Sequence, residues 1–280
     1  MTYFGFLTAF VLIPIIILLL WLMLSRRWRS LSIAFPIGYS FLLLATLATL
    51  YTTPWDNYLV ATRVWWYDPA KVLGITIGWV PIEEYLFFML QPVLGGLLLL
   101  YLFSRDQTST PGQEHAQESS VILNEKNGSR FRRWSLAVAI LIWIASLAAL
   151  IIAEPAMNYL SLELAWALPV LLLQLAFGGD IIWGERRKVI FVILLLTIYL
   201  SAADALAIQS EVWTINPQKS LGILLGGILP VEEFAFFLLT NTMVAFGFVL
   251  LWAPQSLARF KDIWSRIRAR RQGVTLQQDL

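Results

Sequence analysis

PIEEYLFFMLQP, running from Pro81 to Pro92, and PVEEFAFFLLTN, running from Pro230 to Asn241, each set two adjacent glutamates at the head of a strongly apolar span. A bare glutamate costs several kcal/mol in a low-dielectric setting, so two such pairs among Phe and Leu demand a chemical reason. Proline is at home in the first turn of a helix, and acids one turn in complement the helix dipole. That accounts for one glutamate per helix, but not for the doubled pair, the double Phe that follows, or the recurrence of both.

The chain around these motifs reads as an integral membrane protein. Of 280 residues, 59% are hydrophobic and 14% charged, so a water-soluble globule would have nowhere to hide its apolar surface. Runs long enough to cross a bilayer extend from Phe4 to Leu24, Leu31 to Leu50, Ile77 to Leu102, Trp134 to Ile152, Leu160 to Phe177, Val189 to Ala207 and Leu225 to Trp252. The expected fold is therefore all-α with seven transmembrane helices. Seventeen of the 20 basic residues follow the first, third, fifth and seventh spans, leaving Arg63, Lys71 and Lys219 on the other side. This predicts an outside N-terminus, a cytoplasmic C-terminus and a multi-pass place in the inner membrane. The first span has its basic cluster after it, the reverse of a cleavable signal peptide, and is expected to be retained. There is no Cys, and the single His115 falls in a polar stretch, so no thiolate or His-based metal site is expected.

The motifs belong to a longer internal repeat. Asp56, Val64, Trp65, Pro69, Lys71, Leu73 and Gly74 recur 148 residues later as Asp204, Val212, Trp213, Pro217, Lys219, Leu221 and Gly222. One inserted residue then matches Pro81, Glu83, Glu84, Phe87, Phe88 and Leu90 to Pro230, Glu232, Glu233, Phe236, Phe237 and Leu239. Each unit holds three spans, so a fourth span between them restores orientation and makes the repeats parallel, related by a pseudo-two-fold axis along the membrane normal. The predicted divisions are a first repeat at 1–103, a disordered cytoplasmic linker at 104–133, a linking transmembrane helix at 134–153, a second repeat at 154–253 and a basic amphipathic tail at 254–280. In that tail Leu257, Phe260, Ile263, Trp264 and Ile267 alternate with basic residues, as on a helix lying on the inner leaflet.

Helical geometry separates the two glutamates of each pair, because adjacent residues point about 100° apart. Gln91 and Thr240, seven residues after Glu84 and Glu233, lie about 20° from those glutamates and about 80° from Glu83 and Glu232. Glu84 and Glu233 are thus placed on the bundle-facing stripe, with Glu83 and Glu232 as supporting hydrogen-bond partners or as the alternative. Carboxyls crowded in an apolar cavity repel and are desolvated while the helix N-termini favour their charge; where repulsion and desolvation win, one keeps its proton as an acid and leaves another as base. Phe87, Phe88, Phe236 and Phe237 would face a developing positive charge with their ring quadrupoles.

These residues resemble the membrane-integral lycopene cyclase domain family, which occurs as two small bacterial subunits, as their fusion, or joined to phytoene synthase in fungi. The segment from Trp55 to Pro92 resembles the first half of the fused form and Leu221 to Gly247 the second, with Thr240 and Asn241 standing where the first half has Gln91 and Pro92. The resemblance implies cyclisation of the linear ends of lycopene or a related carotenoid, most simply to β-ionone rings giving γ- and β-carotene. It implies Glu84, Glu233, Glu83 and Glu232 as catalytic residues, and Phe87, Phe88, Gln91, Phe236, Phe237, Thr240, Asn241, Trp65 and Trp213 against the substrate. The reaction moves no net electrons, and the chain has no GxGxxG loop after a strand, so no bound cofactor is expected. The expected partners are the carotenoid and the lipid bilayer, with no nucleic acid. A retinal-binding photoreceptor would need a lysine inside a span, and there is none. A proton-coupled transporter shares the intramembrane acids and duplication, although the helices carry few other polar groups. A membrane prenyltransferase would need carboxylates for magnesium diphosphate, and Asp56 and Asp68 are on the wrong side for a cytosolic substrate.

Overall fold

The computed structural model describes residues 1–31, 33–106, 115–152 and 155–271. Seven of its helices are long and apolar enough to cross a membrane. Helix α1 (Tyr3–Ser25) is started by Thr2, whose hydroxyl accepts the Gly5 N–H at 3.1 Å. It widens to a π-helical stretch over Thr8–Leu12, just before Pro14, whose missing N–H interrupts the regular ladder. There follow α2 (Ile37–Ala61), α3 (Ile82–Asp106), α4 (His115–Ile152), α5 (Asn158–Gly184), α6 (Arg186–Gln209), α7 (Val231–Trp252) and the surface helix α8 (Pro254–Arg271). Large apolar side chains face outward along these helices, Leu24, Leu42, Leu141, Leu173 and Ile198 among them, as a lipid-bathed surface requires.

Several boundaries depart from the sequence reading. Helix α2 runs on to Ala61, past Pro54, where the expected span stops at Leu50. Hydropathy falls after Leu50 because Thr52 and Asp56 turn into the bundle, where both are buried. Helices α3 and α7 start later than expected, at Ile82 and Val231, because the residues ahead of them form hairpins. Helix α4 reaches back to His115, so 104–106 and 115–133 are helical where a disordered linker was expected; the linker's remaining residues, 107–114, lie outside the described residues. Polarity marks where a helix leaves lipid, not where its hydrogen-bond ladder stops. The tail is helical to Arg271 and exposes Leu257, Phe260, Ile263, Trp264 and Ile267; Arg259 ties it to α5 with two bonds to Asp180, at 2.8 and 2.5 Å, and one to the Phe177 carbonyl at 2.6 Å. Residues 272–280 are outside the described residues.

At one end of the bundle the all-α expectation gives way to six short strands. β2 (Thr76–Ile77) pairs with β3 (Val80–Pro81), and β5 (Leu224–Leu225) with β6 (Leu229–Pro230), each hairpin feeding directly into a glutamate-bearing helix. Gly78 is required in the first: its φ is +67°, and a Cβ there would lie 2.2 Å from the Asn57 amide oxygen that accepts the Trp79 N–H. Between the two loops, β1 (Trp65–Tyr67) and β4 (Trp213–Ile215) pair antiparallel. The seam is reciprocal. Asp68 N–H bonds Val212 O at 3.0 Å while Asn216 N–H bonds Val64 O at 2.8 Å, and Lys71 Nζ reaches Ser210 O at 2.6 Å while Lys219 Nζ reaches Thr62 O.

Candidate active site

Both glutamate pairs sit in the first turn of their helices, and each pair divides its work. The first member, fully buried, turns back to the loop before its hairpin: Glu83 accepts the Leu73 N–H at 2.6 Å, and Glu232 accepts the Leu221 N–H at 2.5 Å. These bonds fasten the hairpins to the helices. Glu84 and Glu233 point the other way, into one cleft.

That cleft lies under the β1–β4 seam and holds about 510 Å³ of space not filled by protein atoms. Trp65, Tyr67, Trp213 and Ile215 roof it from the strands, while Phe87, Phe88, Phe236 and Phe237 wall it from α3 and α7. Tyr3 and Tyr67 both donate to Glu84 Oε2, Tyr67 at 3.0 Å, and Tyr159 donates to Glu233 Oε1 at 2.7 Å. Burial, together with the carboxyls around it, holds the Tyr67 phenol well above its ordinary value, so it stays a donor. Tyr3 and Tyr159 are themselves placed alike, each backbone N–H on a lysine carbonyl, Lys71 and Lys219 respectively. Their rings cross the seam, Tyr3 against Trp213 at 4.9 Å and Tyr159 against Trp65 at 5.4 Å. Trp55 stacks on Trp166 at 4.4 Å and lies parallel to Phe236 at 6.0 Å, which makes one wall a sheet of π faces.

Two aspartates complete the lining. Asp56 from α2 and Asp204 from α6 are almost fully buried and face the same space; Trp213 Nε1 donates to Asp204 at 2.9 Å. Among the described residues no three His, Cys, Asp or Glu side chains are arranged to hold a metal ion.

Eight of the thirteen residues singled out in the sequence line this cleft: Glu84, Glu233, Phe87, Phe88, Phe236, Phe237, Trp65 and Trp213. Glu83 and Glu232 serve the backbone instead. Gln91 and Asn241 lie outside the lining and bond each other at 2.6 Å, joining α3 to α7, and Thr240 turns its hydroxyl to its own helix at Phe236 O. The polar mark of the inward stripe on α7 is therefore Asn241, not Thr240. Sequence reasoning missed Tyr3, Tyr67, Tyr159 and Trp55 and gave Asp56 and Asp204 no role here. The aspartates carried a signal, since each recurs in the repeat, but the expected end of the second span put Asp56 outside the membrane. Tyr3 and Tyr159 fall outside the matched offset and carried none.

A lycopene cyclase family model matches residues 1–102 and 156–251, which together hold every lining residue. The chain belongs to the lycopene cyclase family. Among relatives of this family member, a lycopene beta-cyclase of Halobacterium salinarum is 38% identical over 208 residues, covering 74% of this chain and 80% of the relative. A bifunctional lycopene cyclase/phytoene synthase of Phaeosphaeria nodorum is 32% identical over 213 residues, covering 75% of this chain and 35% of that longer protein. One from Leptosphaeria maculans is 33% identical over 211 residues, with 75% and 35% covered. No solved structure matches.

Proposed function

We propose that the chain cyclises the linear ends of lycopene to β-ionone rings by acid–base chemistry in the shared cleft. The observation that carries this is the meeting of Glu84 and Glu233, from helices far apart in sequence, in one aromatic-walled cleft. A carboxylic acid delivers a proton to the terminal double bond. The tertiary cation so formed is attacked by the next double bond inward, closing the ring, and a carboxylate removes a ring proton to leave the new alkene. The π faces of Trp55, Phe87, Phe236 and Phe237 stabilise positive charge, and burial under the seam keeps water from quenching it. Protons move and electrons do not, so turnover needs no bound flavin or nicotinamide. The name of the archaeal relative supports the β ring over its isomers.

The same proposal covers the setting. The protein lies in the inner membrane with its N-terminus outside, on the division of basic residues, and its halves, 1–103 and 154–253, are parallel repeats joined by α4. The reciprocal seam and the matched Glu83 and Glu232 clasps support the repeat. No observation favours a proton-coupled transporter. Expression in a lycopene-accumulating bacterium tests the function: cyclic carotenoid must replace lycopene, and unchanged lycopene in cells that hold the protein in their membranes refutes it.

A further inference from the structure

A buried carboxylate needs hydrogen-bond donors to carry its charge, and the cleft deals those donors out unevenly. Glu84 receives two phenols, Tyr3 and Tyr67; Glu233 receives one, Tyr159; Asp204 receives the Trp213 indole. Asp56 is 1% exposed, and neither of its oxygens meets a donor among the described residues. Glu163 shares that lack of donors but does not line the cleft.

The cause is one substitution between the halves. Trp65, which matches Trp213 in the repeat, turns its indole N–H to the Tyr67 hydroxyl at 3.1 Å, not to Asp56. Tyr67 in turn donates its own hydroxyl hydrogen bond to Glu84. In the second half the residue matching Tyr67 is Ile215, which has nothing to accept an indole with, and the Trp213 indole goes to Asp204. Tyr67 thus takes a donor from the aspartate and adds one to the glutamate. Charge left on Asp56 would be unmet, so Asp56 keeps its proton; Glu84, with two donors, is fitted to be the anion. Environments that drive two neighbouring carboxyls apart mark an acid and a base.

We infer that Asp56 is the proton donor of the cyclisation and Glu84 the base that takes the ring proton, an assignment that rests on the cyclase reading above. The O–H bond of the Asp56 carboxyl breaks as a C–H bond forms at the CH carbon of the terminal double bond, leaving a tertiary cation. The inner double bond supplies its electron pair to that cation, its nearer-to-chain CH carbon forming the ring bond and its methyl-bearing carbon taking the positive charge. The C–H bond on the carbon that has just closed the ring then breaks, its electrons becoming the β-ring alkene and its proton passing to the Glu84 carboxylate. One proton has moved from Asp56 to Glu84, and its return across the cleft resets the pair.

The test compares Asp56→Asn, Glu84→Gln and Asp204→Asn, purified in lipid with lycopene and read by the identity of every pigment. Asp56→Asn is expected to leave lycopene intact, with ring formation down about a hundredfold or more and no side products, because no cation forms. Glu84→Gln still protonates, so lycopene is consumed and diverted to hydrated acyclic or misplaced-alkene products. Asp204→Asn is expected to lose less than Asp56→Asn. Asp56→Asn that closes rings within about tenfold of wild type, or that yields hydrated products, overturns the assignment. Infrared spectra of the substrate-free protein read the proton directly: a protonated-carboxyl carbonyl band present in wild type must vanish in Asp56→Asn and shift in Asp56→Glu, and a band indifferent to both also overturns it. Should Asp56→Asn fail to accumulate, Asp56→Glu decides by that band and by retaining the wild-type ring product, slowed; loss of both counts against the assignment. If wild-type protein leaves lycopene acyclic, the cyclase reading falls, and the infrared band still judges where the proton sits.

Discussion

Glu83 and Glu84 are adjacent in sequence and opposite in task, so replacing one must injure stability and replacing the other must injure chemistry. Glu83 is fully buried and holds the Leu73 N–H at 2.6 Å. A hydrogen bond to a charged group contributes about 1.5–3 kcal/mol, so Glu83→Ala is expected to cost about 2 kcal/mol, a fall in unfolding midpoint on the order of 5 °C. Molecules that remain folded should turn over lycopene within about tenfold of wild type, because the cleft keeps its lining. Glu84→Gln keeps the volume of the side chain and an oxygen for Tyr3 and Tyr67 to donate to, so its midpoint should stay within about 2 °C. Formation of the normal ring product should fall about a hundredfold or more, which is about 2.7 kcal/mol on the barrier. Thermal unfolding in lipid nanodiscs, followed by circular dichroism, and pigment analysis on the same preparations separate the two effects. A stable Glu83→Ala protein that has lost all turnover, or a Glu84→Gln protein with normal turnover, refutes the division of labour.

Tyr67→Phe removes one of the two phenols on Glu84 and frees the Trp65 indole for Asp56, and should slow ring formation about tenfold or more, the low end for one hydrogen bond to a charged group; a rate equal to wild type would show that Tyr67 does not organise the pair. Gly96→Ala puts a Cβ 2.4 Å from the Phe248 ring and 2.5 Å from Phe41, which must shift the packing among α2, α3 and α7 and cost about 1–3 kcal/mol in denaturant unfolding. A reporter inserted at exposed Ala70 is expected outside and one after Leu280 in the cytoplasm; both on one side would remove the proposed orientation. Thr53, just beyond the expected end of the second span at Leu50, lies inside α2 and cannot serve.

Seven helices were legible because a lipid solvent leaves a long apolar run no other hydrogen-bonded form, and the glutamates were legible because nothing else so polar starts such runs. Of the aromatic lining, the four Phe of α3 and α7 and the two Trp at 65 and 213 followed from their recurrence. What escaped was polar structure at membrane depth. Thr52 and Asp56 lower the hydropathy of α2 where the cleft needs them, so the feature that makes the site also ended the expected helix. The hairpins escaped for a related reason: Ile77, Val80, Leu225 and Leu229 read as apolar span, and only the turns at Gly78 and at Gly226 and Gly227, with φ of +67°, +58° and +75°, reveal strands. Glu83's clasp on Leu73 is a tertiary bond to an irregular loop, which no periodicity encodes.

The seam that roofs the cleft joins two loops by ladder bonds and two crossed lysines, whereas the helices below meet mainly through side chains. Lifting the roof means breaking many backbone bonds together; parting two helices means breaking few. A long hydrocarbon with negligible solubility in water therefore arrives sideways, through the wall, by two-dimensional diffusion. Turnover should accordingly follow the mole fraction of carotenoid in the bilayer: adding inert phospholipid at fixed enzyme and fixed carotenoid should slow the reaction, while diluting the whole suspension with buffer should leave the rate per enzyme unchanged.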